Sequence, residues 1–73
     1  MPEAVTKRYF VCVTDFTGVF VRYNGEFEDL EEAMRCAKVH ANLWRGIWSV
    51  SDTTKWVGKY WKTIAFGKTE AFV

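Results

Sequence analysis

The sequence predicts an α+β fold: an antiparallel sheet of four to five strands in the order ββαββ(β), with one helix packed on one face. Three observations carry that expectation. Two short runs of strand formers precede the one stretch with helical periodicity. That stretch has a start signal and a stop signal. Beyond it the pattern returns to period two, with aromatic and β-branched residues set between turn signals. Strands gathered on either side of a single helix indicate a helix segregated to one side of an antiparallel sheet.

The first strand is Tyr9-Phe10-Val11-Cys12-Val13-Thr14. It is apolar on both faces, with Tyr9, Val11 and Val13 on one and Phe10 and Cys12 on the other, which suits a central strand. Asp15-Phe16-Thr17-Gly18 reads as a turn with glycine at its end. Val19-Phe20-Val21-Arg22-Tyr23 reads as the second strand of a hairpin, closed by Asn24-Gly25.

Asp29 is a good N-cap with Glu32 three residues on, a capping box. The helix is expected from Leu30 to Arg45, with Gly46 at the left-handed C′ position. At 100° per residue, Leu30, Ala33, Met34, Ala37, Ala41 and Trp44 fall in one arc of about 100°, the width of a core face. Three of the six are alanine, so the helix axis can approach the sheet closely. Glu31, Arg35, Lys38, Asn42 and Arg45 form the solvated arc, where Glu31 and Arg35 make an i,i+4 pair. Cys36, Val39, His40 and Leu43 lie beside the core arc. They widen the uncharged sector to roughly 220°, more than a helix on a sheet needs. Either the chain's own C-terminal segment covers this flank, or a second subunit or target does. Val39, His40 and Leu43 are therefore the candidate dimer or second-partner surface.

Ile47-Trp48-Ser49-Val50-Ser51 alternates as a strand with one wet side. Asp52-Thr53-Thr54 reads as a turn. Lys55-Trp56-Val57-Gly58-Lys59-Tyr60-Trp61 reads as the next strand, with Gly58 at a bulge or a close neighbour. The remainder, from Lys62 to Val73, reads as a last hairpin or an edge strand.

Composition bounds what such a chain can do. The 73 residues are 49% hydrophobic and include four Trp, three Tyr and six Phe, thirteen aromatics in all. One small domain spanning residues 1–73 fits this length, with residues 1–7 expected to be flexible. Abundant aromatics and a net charge of +1 argue against disorder. No apolar run approaches the ~18 residues of a membrane span, and the first eight residues lack a signal-peptide core. A soluble, cytoplasmic protein with no membrane partner is expected. Charge is uneven: residues 1–40 carry five Lys/Arg against seven Asp/Glu, a net of −2, and residues 41–73 carry five against two, a net of +3. All four Trp lie in the basic part.

Catalysis finds little foothold. His40 is the only histidine. Cys36 precedes it by four residues, so the two can touch on the helix, but no third group or oxyanion loop accompanies them. No enzyme activity, cofactor or metal is expected, because two Cys and one His match no closed zinc spacing. Cys12 and Cys36 read as buried free thiols, although a disulfide stays open if the two side chains face each other. The acids Glu26, Glu28, Asp29, Glu31 and Glu32 gather at the helix start, where the dipole favours them; an acidic patch for a basic partner is the alternative. The remaining constellation is basic and aromatic: Lys55, Trp56, Lys59, Tyr60, Trp61 and Lys62. Strand alternation would put Lys55, Val57, Lys59 and Trp61 on one face and Trp56, Gly58, Tyr60 and Lys62 on the other. Such a face could bind a protein, or hold phosphate with lysine while a ring stacks on a base. Its structural alternative is a lysine-protected edge strand with its aromatics in the core.

Two resemblances add to this reading. The stretch Gly25-Glu26-Phe27-Glu28-Asp29-Leu30-Glu31-Glu32-Ala33, continuing to Arg45-Gly46, resembles the strand-to-helix passage of AP2-type DNA-binding domains. That family reads DNA with Arg and Trp on three strands before its helix; here two strands precede it, and Arg22 is the one matching residue on them. Over nearly the whole chain, Phe27, Glu32, Ala33 and Ala37, followed by Trp48, Val50 and Asp52, give a pattern similar to small phage-encoded accessory proteins, anti-CRISPR and host-takeover inhibitors among them. That resemblance implies a non-enzymatic module in the host cytoplasm that binds and inhibits or modulates a larger protein or ribonucleoprotein complex, with a homodimer as one form. Nucleic-acid binding by the same basic-aromatic face is the alternative.

Overall fold

The structure is a computed structural model that describes residues 7–69. It contains β1 (Tyr9–Thr14), β2 (Val21–Phe27), α1 (Leu30–Trp44), β3 (Ile47–Val57) and β4 (Tyr60–Lys68). The four strands form one antiparallel sheet in the order β2-β1-β3-β4, and α1 packs across β1, β3 and β2. The α+β architecture with one helix on the sheet is the one the sequence predicts, and β1, apolar on both faces, is central. The expectations for residues 1–6 and for a further strand over 70–73 fall outside the described residues.

The core is small and one-sided. Val11 and Val13 of β1, Trp48 and Val50 of β3, and Ala33, Ala37 and Ala41 of α1 are buried together. Tyr9, Tyr23, Phe27, Met34 and Ala65 pack around them. The alanines sit four residues apart and present almost no bulk, so the helix lies close on the valines. The predicted core face is longer than the real one: Leu30 and Trp44, the first and last residues of the helix, are 39% and 45% exposed. An Arg22 guanidinium sits 5.4 Å from the Trp44 ring centre, which leaves that indole half in water.

Both helix ends differ in chemistry from the expectation. Asp29 is the N-cap in extended geometry, but its carboxylate makes no capping bond. At the C-terminus the left-handed residue is Arg45 (φ 52, ψ 46), and both Arg45 and Gly46 donate their amides back to the last turn. Gly46 is needed for a different reason. A Cβ there would land on the Thr14 carbonyl of β1, so the position where helix meets sheet admits no side chain.

The remaining corrections concern turns. Residues 15–20 make the β1–β2 loop, tied by Thr17 donating to the Asp15 carboxylate through its amide (3.0 Å) and its hydroxyl (2.5 Å). β2 therefore starts later than predicted and runs through Asn24-Gly25 to Phe27. Gly25 is a packing residue, since a Cβ there would press on the Tyr23 and Phe27 rings. Likewise Asp52-Thr53-Thr54 does not turn the chain. β3 passes straight through it, with an irregular register between Asp52 and Trp56. The reversal comes at Gly58-Lys59. Val57 pairs with Tyr60 across this two-residue loop, and Gly58 (φ 63) takes the left-handed leading position that such hairpin loops require.

Asp52 explains the straight passage. Its carboxylate is 2% exposed and accepts from Arg8 Nε (3.2 Å), Arg8 Nη2 (2.9 Å), the Thr54 amide (2.9 Å) and the Thr54 hydroxyl (2.6 Å). Thr53 donates its amide and hydroxyl to the Arg8 carbonyl. The turn-forming chemistry of these three residues is spent on fastening the chain before β1 to the middle of β3. The Arg8 guanidinium and the Thr54 hydroxyl hold the Asp52 carboxyl well below the usual carboxylate range.

Candidate interaction surface

Register with β1 ends at Asp52, so the outer half of the β3–β4 hairpin projects past the rest of the sheet. All six residues of the basic-aromatic set lie on this projection. Lys55 and Trp56 are on β3, Lys59 is in the loop, and Tyr60, Trp61 and Lys62 are on β4. Because the chain reverses at Gly58-Lys59, the expected division of faces does not hold. Trp56 pairs with Trp61, and Val57 with Tyr60. The two indoles therefore share a face, with ring centres 6.1 Å apart and tilted by 60°. Trp61 meets Phe10 of β1 at 5.4 Å, also tilted. A three-ring ladder results, worth about 0.5–1.5 kcal/mol per contact beyond the area it buries.

The ladder lies on the side of the sheet away from α1. Val11 and Val13 point into the helix-covered core, so Phe10 and Cys12 point the other way. Cross-strand register places Ser49, Ser51, Thr63 and Phe66 beside them, Phe66 being 75% exposed. Among the described residues nothing forms a second layer over this face. It mixes large aromatics with small hydroxyls, unlike the dry face under the helix. Phe10 and Phe66 escaped the sequence reading; the apolar character of both faces of β1 was the signal that could have found them.

Lysine borders the aromatics. Lys55, Lys59 and Lys62 are exposed, and Lys59 Nζ lies 5.9 Å from the Tyr60 ring centre. Residues 53–69 contain these three and Lys68 but no acid, and the carboxylate of Asp52 is committed to Arg8. The projection is thus a local positive end on a chain of net charge +1. Trp56, Val57 and Tyr60 are 60%, 61% and 69% exposed.

The second predicted surface is divided. Val39 and Leu43 are 57% and 69% exposed. His40 is half-buried, and its ring stacks on Tyr23 of β2 at 3.7 Å with 12° between planes. The exposed part of this flank is aliphatic, with histidine as its inner wall. A third apolar group went unpredicted: Phe16, Val19 and Phe20 of the β1–β2 loop are 68%, 69% and 62% exposed, at the opposite end of the sheet from the hairpin tip.

Neither cysteine is fully buried, contrary to expectation, and both are free. Cys12 faces the open side of the sheet, and Cys36 touches Tyr23 on the helix side. With the sheet between them they do not form the disulfide left open above. Burial pushes the Cys12 thiol up. Among the described residues no cluster of three His, Cys, Asp or Glu side chains could hold a metal ion, and no helix is long and apolar enough to cross a membrane. No family model, curated protein or solved structure matches the chain.

Proposed function

We propose that this protein is a non-enzymatic interaction module that binds and inhibits or modulates a larger protein or ribonucleoprotein complex. The observation that carries the reading is the projecting hairpin, whose Trp56 and Tyr60 stand mostly in solvent beside three lysines. Rings left in water contribute little to folding, and interface hot spots are rich in such residues. The likeness to phage-encoded accessory proteins agrees in kind, since those act by surface contact within a host cell. Val39 and Leu43 supply a second contact, for another copy of the chain or another partner.

Pull-down from nuclease-treated extract of the source cell tests the reading. A specific protein partner is expected, and Trp61→Ala should lose it while circular dichroism keeps the native spectrum. The loss should amount to about 2 kcal/mol or more. Retention of the partner by both Trp61→Ala and Trp56→Ala would move the site off the hairpin.

The Phe10–Trp61–Trp56 ladder favours a second reading, in which single-stranded nucleic acid stacks on the open sheet face. Replacing Lys55, Lys59 and Lys62 by Ala should then weaken binding to every sequence and flatten its salt dependence. Absence of any oligonucleotide binding at low salt would remove this alternative.

A further inference from the structure

α1 rests on β1, β3 and β2, so β4, the last strand of the sheet, runs out beyond the helix. A cavity of about 380 Å³ opens between α1 and the end of β4. Small residues make room for it, Ala41 on the helix and Gly67 on the strand. Trp48 reaches it from β3. Its indole leans across Gly67 so closely that a Cβ there would stand 3.0 Å from Nε1. The side chains around the cavity are rich in donors. Lys38 of α1 and Lys68 of β4 both line it, with Lys38 Nζ 5.9 Å from the Trp48 ring centre. Among the described residues neither lysine is ion-paired, and no carboxylate lines the cavity. Asn42 follows Lys38 by one helical turn. Its Oδ1 accepts from the Thr69 hydroxyl at 2.6 Å, which leaves the Asn42 amide nitrogen to donate. Trp48 is 7% exposed, yet its Nε1–H meets no acceptor among the described residues, where a buried indole normally finds one. No fully buried side-chain nitrogen or oxygen goes unpaired among those residues, so this N–H opens to the outside, beside Gly67, through the cavity.

We propose that this cavity binds a small phosphate monoester. Two ammonium groups from different elements, an indole N–H and an amide NH₂ make a set of donors whose charge is uncompensated. A phosphate monoester matches it, with a charge of about −1.5 to −2 at neutral pH and three strong acceptor oxygens. A carboxylate brings one charge and two oxygens, and leaves part of the set unmatched. The volume lies within the range of about 300–1,000 Å³ typical of small-molecule sites, so the organic part of the ester fits beside its phosphate. The half-buried setting strengthens each charge-assisted bond relative to water. The site is separate from the projecting hairpin, because Lys68 pairs with Ile47 at the opposite end of the β3–β4 ladder from Val57 and Tyr60.

Titrating phenyl phosphate into the nitrogen-15-labelled full chain at neutral pH tests the proposal. The Trp48 indole N–H and the Asn42 side-chain amide should shift together and saturably, with a dissociation constant in the millimolar range or below. The Trp56 and Trp61 indoles, on the hairpin, are the internal control for binding elsewhere. Lys38→Gln and Lys68→Gln alter exposed side chains and should leave the circular dichroism native. Each should weaken binding about tenfold or more, the usual loss for a hydrogen bond to a charged group. Benzoate carries the same ring on a carboxylate and should bind less tightly by a similar factor. Phenyl phosphate should also lose affinity below about pH 6, where the phosphate takes up its second proton. Any of three results would overturn the proposal: shifts absent at Trp48 or confined to Trp56 and Trp61, benzoate binding as tightly as phenyl phosphate, or an affinity unmoved by both lysine variants.

Discussion

Arg45 and Gly46 show how a single position can be claimed by two demands. A helix end favours glycine in the left-handed region, and contact with β1 requires glycine under the Thr14 carbonyl. The second demand wins because backbone cannot give way, and the left-handed strain passes to Arg45. Two opposite outcomes follow for neighbouring residues. Arg45→Gly should stabilise the protein by about 0.5–1 kcal/mol, the left-handed penalty less the entropy of a freer unfolded chain. Gly46→Ala should cost on the order of 3 kcal/mol, since the Cβ collides with main chain. Chemical denaturation of both variants measures this. The capping rule located the helix end within a residue from sequence alone. It could not tell which of the two residues would be left-handed, because the deciding contact is with a strand more than thirty residues away.

At the level of elements, the β3–β4 hairpin teaches most. Asp52-Thr53-Thr54 and Gly58 are both turn signals, and only the latter marks the reversal. The distinction depends on Arg8, which is far off in sequence and turns Asp52 from a turn residue into an anchor. Its effect has a definite pH window. The Asp52 pKa is lower folded than unfolded, so the anchor is fully stabilising above the unfolded value, near ~4, and is lost as pH falls further through the folded value. Thermal melts should thus show no contribution from Asp52 to pH dependence between about pH 5 and 8 and a decline in strong acid. Asp52→Asn should lower the melting temperature at pH 7 and blunt that decline. At the loop, a Cβ on Gly58 meets nothing within 4 Å, so Gly58→Ala should cost only the left-handed penalty, ~1 kcal/mol. The six candidate site residues were legible as a group because they fall within the single stretch 55–62. Their faces were not, because the turn was read six residues too early.

Across the whole molecule, the surplus of aromatics read from composition has a place. Fully buried side chains are few and mostly small, with Val11, Val13 and Val50 the largest, while Trp56, Tyr60, Phe16, Phe20 and Phe66 stand outside. Stability must therefore hang on a handful of valines: Val50→Ala should cost about 2 kcal/mol, whereas Phe66→Ala should change stability by no more than about 0.5 kcal/mol. The single helix, the central first strand and the close-packed alanine stripe were all legible, since each follows from local periodicity. Trp44 and Leu30 were placed inside because helical phase says which way a residue points, and says nothing of how far the sheet beneath extends.

The strand order also has a consequence in time. β1–β2 and β3–β4 are hairpins between neighbours in the chain, and α1 is local, so each can form on the scale of microseconds. The β1–β3 pairing joins Tyr9 to Asp52 and Thr14 to Ile47, and it closes only after a long stretch of chain has been brought round. That seam should limit the folding rate. Substitutions at Val11 or Val50 would then slow refolding, and substitutions at the hairpin tip would leave refolding unchanged. The hairpin proposed as the contact surface would then be the part whose sequence can vary without delaying folding.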